Sequence, residues 1–429
     1  MNLIKKNISA VFEKIKALVQ KEFFKNFFSL SIFQIIELLI PLITIPLIIS
    51  KVGAEKFGLI SFALIFTFFF QLIIDFGFNT IAIRDISINE NDKEKIEKIF
   101  NDTINSKLLL SFLCFFVFLI IILSFKKFNT DVSLYLFTFF SLVFQSLIPG
   151  WLFQGLQISK FITISSFIGR FSYLLLIVFF IKSKENFLLI PIFNGGGYLI
   201  SLIILLSFAY YKLQIRYKTI QKQDFLNQLS KGKYMFFSEI KLYFISYFNI
   251  LLLGLISGNM AIAYFVGAEK ILRAICSFFV PIQNSLFPIL SVKLNNNKTE
   301  AIVLINKILG IAIGVLVSFC LLLLLFSEEI IILILGKEMN NSIIVFKILV
   351  FLPLLTFLDV FFGKQILLNL KKEKDFFRVV LCMAIINTPM IYFFITNYSY
   401  IGASISQLIT QLLLAFGMYY YANKALKEN

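Results

Sequence analysis

The sequence predicts an all-α integral membrane protein of about twelve transmembrane helices. Hydrophobic residues make up 59% of the 429 positions and charged residues only 15%, whereas about a quarter of the residues in a soluble domain are charged. The mean hydropathy is +0.90. Twelve apolar runs approach the roughly 20 residues that a helix needs to cross a bilayer, and shorter polar segments separate them.

The N-terminal segment, residues 1–26, carries six lysines among apolar residues that are spaced three and four apart. That spacing is typical of an amphipathic helix on the membrane surface. A solvated basic tail that helps to fix the orientation of the protein is the alternative interpretation. The segment lacks a long apolar core followed by a small-residue cleavage site, so it is not a typical signal peptide.

The apolar runs divide the chain into two predicted lobes of six spans each. The first lobe covers 27–211 and the second covers 235–421, with a cytoplasmic linker at 212–234 and a cytoplasmic tail at 422–429. Similar motifs open the third and ninth runs, and parallel six-helix halves are a recurring plan in transporters. The runs lie near 27–50, 57–81, 106–124, 132–153, 161–181, 187–210, 235–256, 261–291, 302–326, 342–363, 376–396 and 399–421.

Lysine and arginine are concentrated in every second polar segment. With the N-terminus in the cytoplasm, and Lys107 counted with the loop before it, the inside segments hold 26 of these residues and the outside loops hold 7. Because positive charge is enriched on the cytoplasmic side, we expect both termini there. The net charge of +16 is explained by this topology, since apolar runs interrupt the cations and leave no nucleic-acid-binding surface.

The eighth run carries three charged residues, Glu269, Lys270 and Arg273. A charge at the bilayer centre costs roughly 3 kcal/mol or more, so such residues face a bundle interior or a wet cavity. Glu269 and Arg273 are one helical turn apart, which allows a structural ion pair. The alternative is that Lys270 and Arg273 attract an anionic cargo. Pro281 and Pro288, later in the run, are hinge candidates because proline kinks a helix.

Other runs place single ionisable residues on polar faces. Arg170 has no acid one turn away on its own helix, so either another helix supplies a partner or the guanidinium faces an anionic ligand. Lys107 lies near a span end, where a lysine can extend its ammonium to the interface. Since the chain has no histidine, proton coupling would use carboxylates. The candidates are Glu37, Asp75, Glu239 and Asp359.

The sequence contains no signature of an enzyme. It has no phosphate-binding loop, no nucleophile elbow, no paired cysteines and no histidine, so we expect no metal site and no cofactor besides a coupling proton or sodium ion. The triplet Gly195-Gly196-Gly197 lies within a span and indicates close helix packing. The predicted outer loops are short, which disfavours a polymerase.

Three short motifs resemble those of the Wzx-type polysaccharide flippases, a family in the multidrug/oligosaccharidyl-lipid/polysaccharide exporter superfamily, and the resemblance covers essentially the whole chain. They are Asp75-Phe76-Gly77-Phe78-Asn79 followed by Arg84, then Pro149-Gly150-Trp151-Leu152-Phe153-Gln154-Gly155, and Tyr264 with Ala268-Glu269-Lys270-Ile271 and Pro288.

The resemblance implies two six-helix lobes, related by a pseudo-two-fold axis along the membrane normal, around a central cavity in the bacterial inner membrane. It implies alternating access that moves undecaprenyl-diphosphate-linked oligosaccharide for O-antigen, capsule or exopolysaccharide to the outer leaflet. Lys270, Arg273, Arg170 and Arg84 are the implied cationic candidates, and Trp151 is expected in an interfacial aromatic belt or stacked on sugar. A polymerase and glycosyltransferases of the same pathway are the implied partners. A multidrug or cation efflux transporter of the same fold is the alternative, and a membrane-embedded polymerase a more distant one.

Overall fold

The structure is a computed structural model that describes residues 28–428, so the predicted amphipathic segment 1–26 lies outside the described residues. On two helices, the side chains at positions 238–246, 281, 284, 285, 288 and 295 also lie outside the described part. The described residues form helices and contain no strand. The first half of the chain contains α1 Phe28–Val52, α2 Ala54–Asp75, α3 Phe78–Ile88, α4 Lys93–Ser124, α5 Lys126–Asn129, α6 Val132–Leu147, α7 Gly150–Gly155, α8 Lys160–Phe180 and α9 Leu189–Tyr211.

Eight further α-helices form the second half of the chain. They are α10 Lys222–Ser257, α11 Asn259–Ser277, α12 Val280–Asn296, α13 Lys298–Leu325, α14 Ser327–Leu335, α15 Ser342–Leu349, α16 Leu352–Val360 and α17 Glu373–Glu428. A π-helical segment, Phe361–Leu368, follows α16 directly. The predicted linker at 212–234 is therefore helical from Lys222 onward.

Over residues 28–428, each of the twelve predicted runs is mostly helical. Among the described residues, nine helical segments are long and apolar enough to cross a membrane. The eighth predicted run, 261–291, is divided between α11 and α12, and the last two runs share α17. The described residues thus form an all-helical fold with many candidate membrane spans.

Helix α17 is a hairpin of two antiparallel helices. Its backbone leaves the helical conformation at Ser399, where φ is 52° and ψ is −129°. Thr410 donates a hydrogen bond to Asn387 Oδ1 at 2.6 Å, and Gly417 lies against Val379. In each pair, one residue precedes position 398 by nearly as many positions as the other follows it. An antiparallel hairpin requires this symmetry along the sequence. The predicted separation of the runs 376–396 and 399–421 is therefore correct.

Helix α4 is apolar on both of its faces over the membrane-spanning part. Asp92 caps its N-terminus by accepting the backbone N–H of Lys95 at 3.1 Å, and this hydrogen bond helps to hold the pKa of Asp92 below its usual value. Farther along, one side of the helix is buried and the other side exposes large hydrophobic residues. A helix that is apolar all round is typical of a lipid-facing membrane span. The buried stripe is Cys114, Phe118 and Ile122, and the exposed stripe is Phe112, Phe116 and Ile120.

The helices form two compact units. The first unit contains the described residues up to Ile40, Thr67–Ile177 and Leu188–Phe237, whereas the second contains Pro41–Phe66, Val178–Phe187 and the chain from Ser238 onward. The predicted lobes are continuous in sequence, and the units are not. Each unit has its own buried apolar cluster, built in the first around Phe100, Trp151 and Phe153 and in the second around Phe361, Ile366 and Leu367.

Gly197 lets α8 and α9 approach each other closely in the first unit. A Cβ atom added at Gly197 would lie 2.6 Å from the carbonyl oxygen of Gly169. Small residues permit this kind of backbone approach between membrane helices. An added Cβ at the neighbouring Gly196 would meet no atom within 4 Å. The expected close packing is thus found at Gly197 and not at Gly196.

We expect Gly197→Ala to destabilise the protein by about 1–3 kcal/mol, because the extra methyl group forces two backbones apart. Thermal unfolding of the purified protein in detergent measures the effect. The matched control is Gly196→Ala, which adds the same methyl group where there is space. Equal unfolding temperatures for the two variants would contradict the packing described for α8 and α9.

Candidate functional site

A polar cavity lies in the first unit where two membrane helices are interrupted. Helix α2 ends at Asp75, and Phe76 and Gly77 follow with φ values of 41° and 72° before α3 begins. Helix α6 ends at Leu147, ahead of Pro149. The cavity has a volume of about 290 Å³, and its polar and charged wall is formed by Glu37, Gln71, Asp75, Asn79, Gln145, Ser146, Trp151, Gln154, Ser166, Arg170, Tyr198 and Ser201.

Lys107 forms hydrogen bonds to residues at both helix interruptions. Its side chain is 1% exposed, and the ammonium group donates to Asp75 Oδ1, to Asn79 Oδ1 and to the backbone carbonyl of Ser146, each at 2.7 Å. In an uninterrupted helix the Ser146 carbonyl would accept the backbone N–H of Gly150, but that N–H bonds to Ile148 instead. Lys107 therefore satisfies a carbonyl that the break before Pro149 leaves without a helical partner.

The expected position of Lys107 at the membrane interface is wrong. The side chain has no access to solvent, because it turns inward to a carboxylate and two carbonyl oxygens. An ammonium group has three N–H donors, and all three are used here. The only sequence signal for this site is a lysine placed one residue inside the apolar run 106–124, and that position also suits a residue at the interface.

Arg170 is held by groups from two other helices. Its guanidinium donates to Glu37 through Nε at 2.9 Å and Nη2 at 2.5 Å, to Asn194 at 3.0 Å and to Tyr198 Oη at 2.7 Å. Another helix thus supplies the acid that the helix of Arg170 lacks, which is one of the two alternatives considered from the sequence. Four of the five N–H donors of the guanidinium are used.

Both cations of this site are paired with carboxylates. Arg170 balances Glu37 and Lys107 balances Asp75, so the four ionisable side chains carry no net charge. Removing one partner of such a pair destabilises a protein, because the remaining charge is left uncompensated. The two carboxylate candidates for ion coupling in this unit, Glu37 and Asp75, each already bind a cation.

Helix α11 of the second unit carries the predicted cluster of charges. Arg273 Nε donates to Glu269 Oε1 at 2.6 Å, which confirms the predicted pair at one-turn spacing. Gln407 donates to the same carboxylate oxygen at 3.1 Å. The Glu269 side chain is 3% exposed and that of Arg273 is 42% exposed. Among the described residues, one of the five N–H donors of Arg273 is used, by Glu269, so this cation retains binding capacity there. Lys270 is exposed.

Asp359 is the described carboxylate candidate of the second unit. Its Oδ2 accepts a hydrogen bond from Gln411 at 3.1 Å, and no ion pair to Asp359 occurs in the described part of the chain. The π-helical segment Phe361–Leu368 begins two residues later. Isolated π-helical turns are frequent at functional sites. Asp359 and Glu37 lie in different units.

The other residues predicted for the site are Arg84, Glu239, Pro281 and Pro288. Arg84 lies on α3, where its side chain is 61% exposed and pairs with the adjacent Asp85 at 2.7 Å. The side chains of Glu239 and of the hinge candidates Pro281 and Pro288 lie outside the described residues. The backbone shows that Pro281 falls in the first turn of α12, where no N–H is needed. The expectation that Pro281 kinks the interior of one continuous helix is therefore wrong.

Trp151 is not part of an interfacial belt. The side chain is 3% exposed and packs against Phe100, with ring centroids 5.9 Å apart. Its indole Nε1 is buried and has no hydrogen-bond partner among the described residues. A buried donor without a partner costs about 1–3 kcal/mol. The belt expectation fails because the break at Pro149 turns α7, and Trp151 with it, into the apolar cluster of the first unit.

Among the described residues, no group of three or more cysteine or acidic side chains is arranged to hold a metal ion. The four cysteines are free thiols. The ionisable groups of both units are instead arranged as pairs and small hydrogen-bonded clusters.

Comparison with known sequences identifies a protein family and a relative that each match more than half of the chain. A family profile described as polysaccharide biosynthesis protein matches residues 23–294. The chain is 26% identical over 390 residues to a protein of Escherichia coli (strain K12) named putative O-antigen transporter, and the match covers 91% of this chain and 94% of that protein.

Solved structures share the fold. An inward-facing multidrug resistance MATE family transporter of the MOP superfamily superposes with a TM-score of 0.70 at 14% identity, covering 94% of this chain and 99% of that one. The lipid II flippase MurJ, in an inward closed conformation, superposes with a TM-score of 0.66 at 15% identity and covers 96% and 89%. At identities this low, the superpositions establish the common architecture alone.

Lys107→Met should destabilise the protein by about 3–5 kcal/mol, because it leaves the Asp75 carboxylate unpaired and the Ser146 carbonyl without a donor. Thermal unfolding of the purified protein measures this loss. The double variant Lys107→Met/Asp75→Asn should recover part of it, because no unpaired charge remains.

Lys95→Met is the control for the loss of a lysine. Lys95 is 63% exposed and pairs with Asp92 at the surface, so its replacement should change stability by less than about 1 kcal/mol. Equal effects of the two lysine substitutions would contradict the role assigned to Lys107.

Proposed function

Because the chain belongs to the polysaccharide biosynthesis protein family, we propose that it is a flippase for lipid-linked oligosaccharide. The observation that carries the proposal is the polar cavity of the first unit. Its wall holds charged, amide and hydroxyl side chains, whereas the outer helix faces expose phenylalanine, leucine and isoleucine. Polar residues at membrane depth mark the path of a polar cargo.

The proposed cargo is an undecaprenyl-diphosphate-linked repeat unit of O-antigen, capsule or exopolysaccharide. It moves from the cytoplasmic to the outer leaflet of the bacterial plasma membrane by alternating access, driven by a proton or sodium gradient. Both termini are cytoplasmic in this proposal. A polymerase and glycosyltransferases of the same pathway are the expected partners. The name of the Escherichia coli relative, at 26% identity over most of both chains, supports this class of cargo.

Arg273 is the proposed contact for the diphosphate. It is the cation in α11 whose side chain is 42% exposed, and Glu269 uses only one of its N–H donors. An arginine can bind phosphate oxygens with two parallel hydrogen bonds. Lys270, exposed on the same helix, adds a second positive charge. In this scheme Arg170 and Lys107 have structural roles, since all but one of their N–H donors are already occupied.

Multidrug or cation efflux is the alternative that the structural neighbours raise. The MATE family transporter resembles the chain in fold at 14% identity. A cationic drug would favour an acidic site, yet both acids of the first-unit cavity are paired with cations. Export of cationic dyes from cells that express the protein would favour efflux.

We expect the reconstituted protein to flip polyprenyl-diphosphate-linked oligosaccharide in vesicles, measured by the access of an external glycosidase to the sugar. Arg273→Ala should slow flipping about tenfold or more, because a hydrogen bond to a charged group contributes roughly 1.5–3 kcal/mol. Lys270→Ala/Arg273→Ala should slow it further. The control is Arg378→Ala, which removes an exposed arginine that pairs with Asp375.

Unaltered flipping by the double variant would overturn the role of α11. The absence of flipping by the unsubstituted protein would overturn the proposed function. For the polymerase alternative, the decisive observation is in cells that lack the protein. Unpolymerised units already exposed on the outer face of their plasma membrane would favour that alternative.

A further inference from the structure

Three buried polar atoms of the first-unit cavity lack partners. They are the indole Nε1 of Trp151, the amide Oε1 of Gln71 and the hydroxyl of Ser146, none of which has a hydrogen-bond partner among the described residues. All three residues line the same cavity. Buried polar atoms are almost always paired, so several orphans around one cavity indicate groups that are completed by a ligand.

The charges around this cavity are not available to an anion. All three donors of Lys107 and four of the five donors of Arg170 are committed to protein groups. A diphosphate could bind Lys107 only by displacing one of its three partners, and Arg170 would offer it a single remaining N–H. The cavity groups that remain are neutral and comprise the indole N–H of Trp151, side-chain amides and hydroxyls. A sugar hydroxyl, which both donates and accepts, matches this set.

We propose that the first-unit cavity is a binding site for a neutral sugar ring of the cargo. Trp151 Nε1 donates to a hydroxyl or acetamido oxygen of the sugar, and Gln71 Oε1 accepts from a hydroxyl or amide group. Gln154, an exposed residue on the wall, provides a further amide. This assignment rests on the proposed function and adds to it the part of the cargo, a sugar ring, that the first-unit cavity binds.

The geometry favours hydrogen bonding over ring stacking at Trp151. Its ring already packs against Phe100 within an apolar cluster. The cavity, at about 290 Å³, lies at the lower end of ligand-pocket volumes, which run from roughly 300 to 1,000 Å³. A cavity of this size suits one terminal sugar rather than a whole repeat unit.

The chain contains a single tryptophan, so Trp151 is itself the probe of this site. The full-length protein in lipid nanodiscs is titrated with glycans released by mild acid from the lipid-linked oligosaccharides of the source cells, and separately with sodium diphosphate. The glycan fraction should change the Trp151 emission in a saturable manner. Diphosphate at equal concentration should leave the emission unchanged.

Two variants test the proposed contacts. Gln71→Leu keeps the probe and should weaken glycan binding about fivefold, the loss expected for one neutral hydrogen bond. Gln223→Leu, the same change at an exposed residue of α10 outside the cavity, should have no effect. Trp151→Phe, followed by calorimetry, removes the indole N–H but retains an aromatic ring against Phe100, and the expected loss is also about fivefold.

The possible results of these experiments distinguish the sugar site from the proposed flippase function. A saturable emission change with diphosphate and none with glycan would overturn the sugar assignment in favour of an anion site. A protein that flips lipid-linked oligosaccharide but shows no glycan binding in either measurement would overturn the sugar site alone. Glycan binding without flipping would retain the sugar site and overturn the proposed flippase activity.

Discussion

The Lys107 ammonium stabilises both helix interruptions of the first unit. A break in a membrane helix exposes backbone groups that have no water to bind, so a break persists only where another group replaces the lost partner. Lys107 donates to the Ser146 carbonyl at one break and to Asp75 and Asn79, which flank the other. Because the ammonium is itself costly to bury, it requires the Asp75 carboxylate. The cavity between the breaks depends on this one cluster.

The two units use their arginines differently. Arg170 is nearly saturated by Glu37, Asn194 and Tyr198, whereas Arg273 shares one hydrogen bond with a buried glutamate and is 42% exposed. A saturated guanidinium fixes the helices around it, and an exposed one can exchange partners. The same residue type thus supports a rigid wall in the first unit and a potential contact for an anion in the second.

Much of the fold could be predicted because membrane helices follow local rules. The twelve apolar runs and the pair of Glu269 with Arg273 depend on length, hydropathy and one-turn spacing, all of which can be counted along the chain. The pair of Glu37 with Arg170 could not be assigned, because its members are 133 positions apart. The predicted interfacial position of Lys107 was wrong for a similar reason. Its partners lie on other helices, and its place near a span end equally suited an interfacial lysine.

Charge pairing in the first unit has a consequence for transport. A carrier must release its cargo as readily as it binds it, and an unpaired cation in a water-poor cavity would hold a diphosphate tightly, since charges interact strongly at low dielectric. Glu37 and Asp75 remove that attraction by neutralising Arg170 and Lys107. Neutral hydrogen bonds from Trp151 and the amides are individually weak. In the proposed sugar site, such a wall selects a sugar by its pattern of hydroxyls and holds it weakly enough to be released.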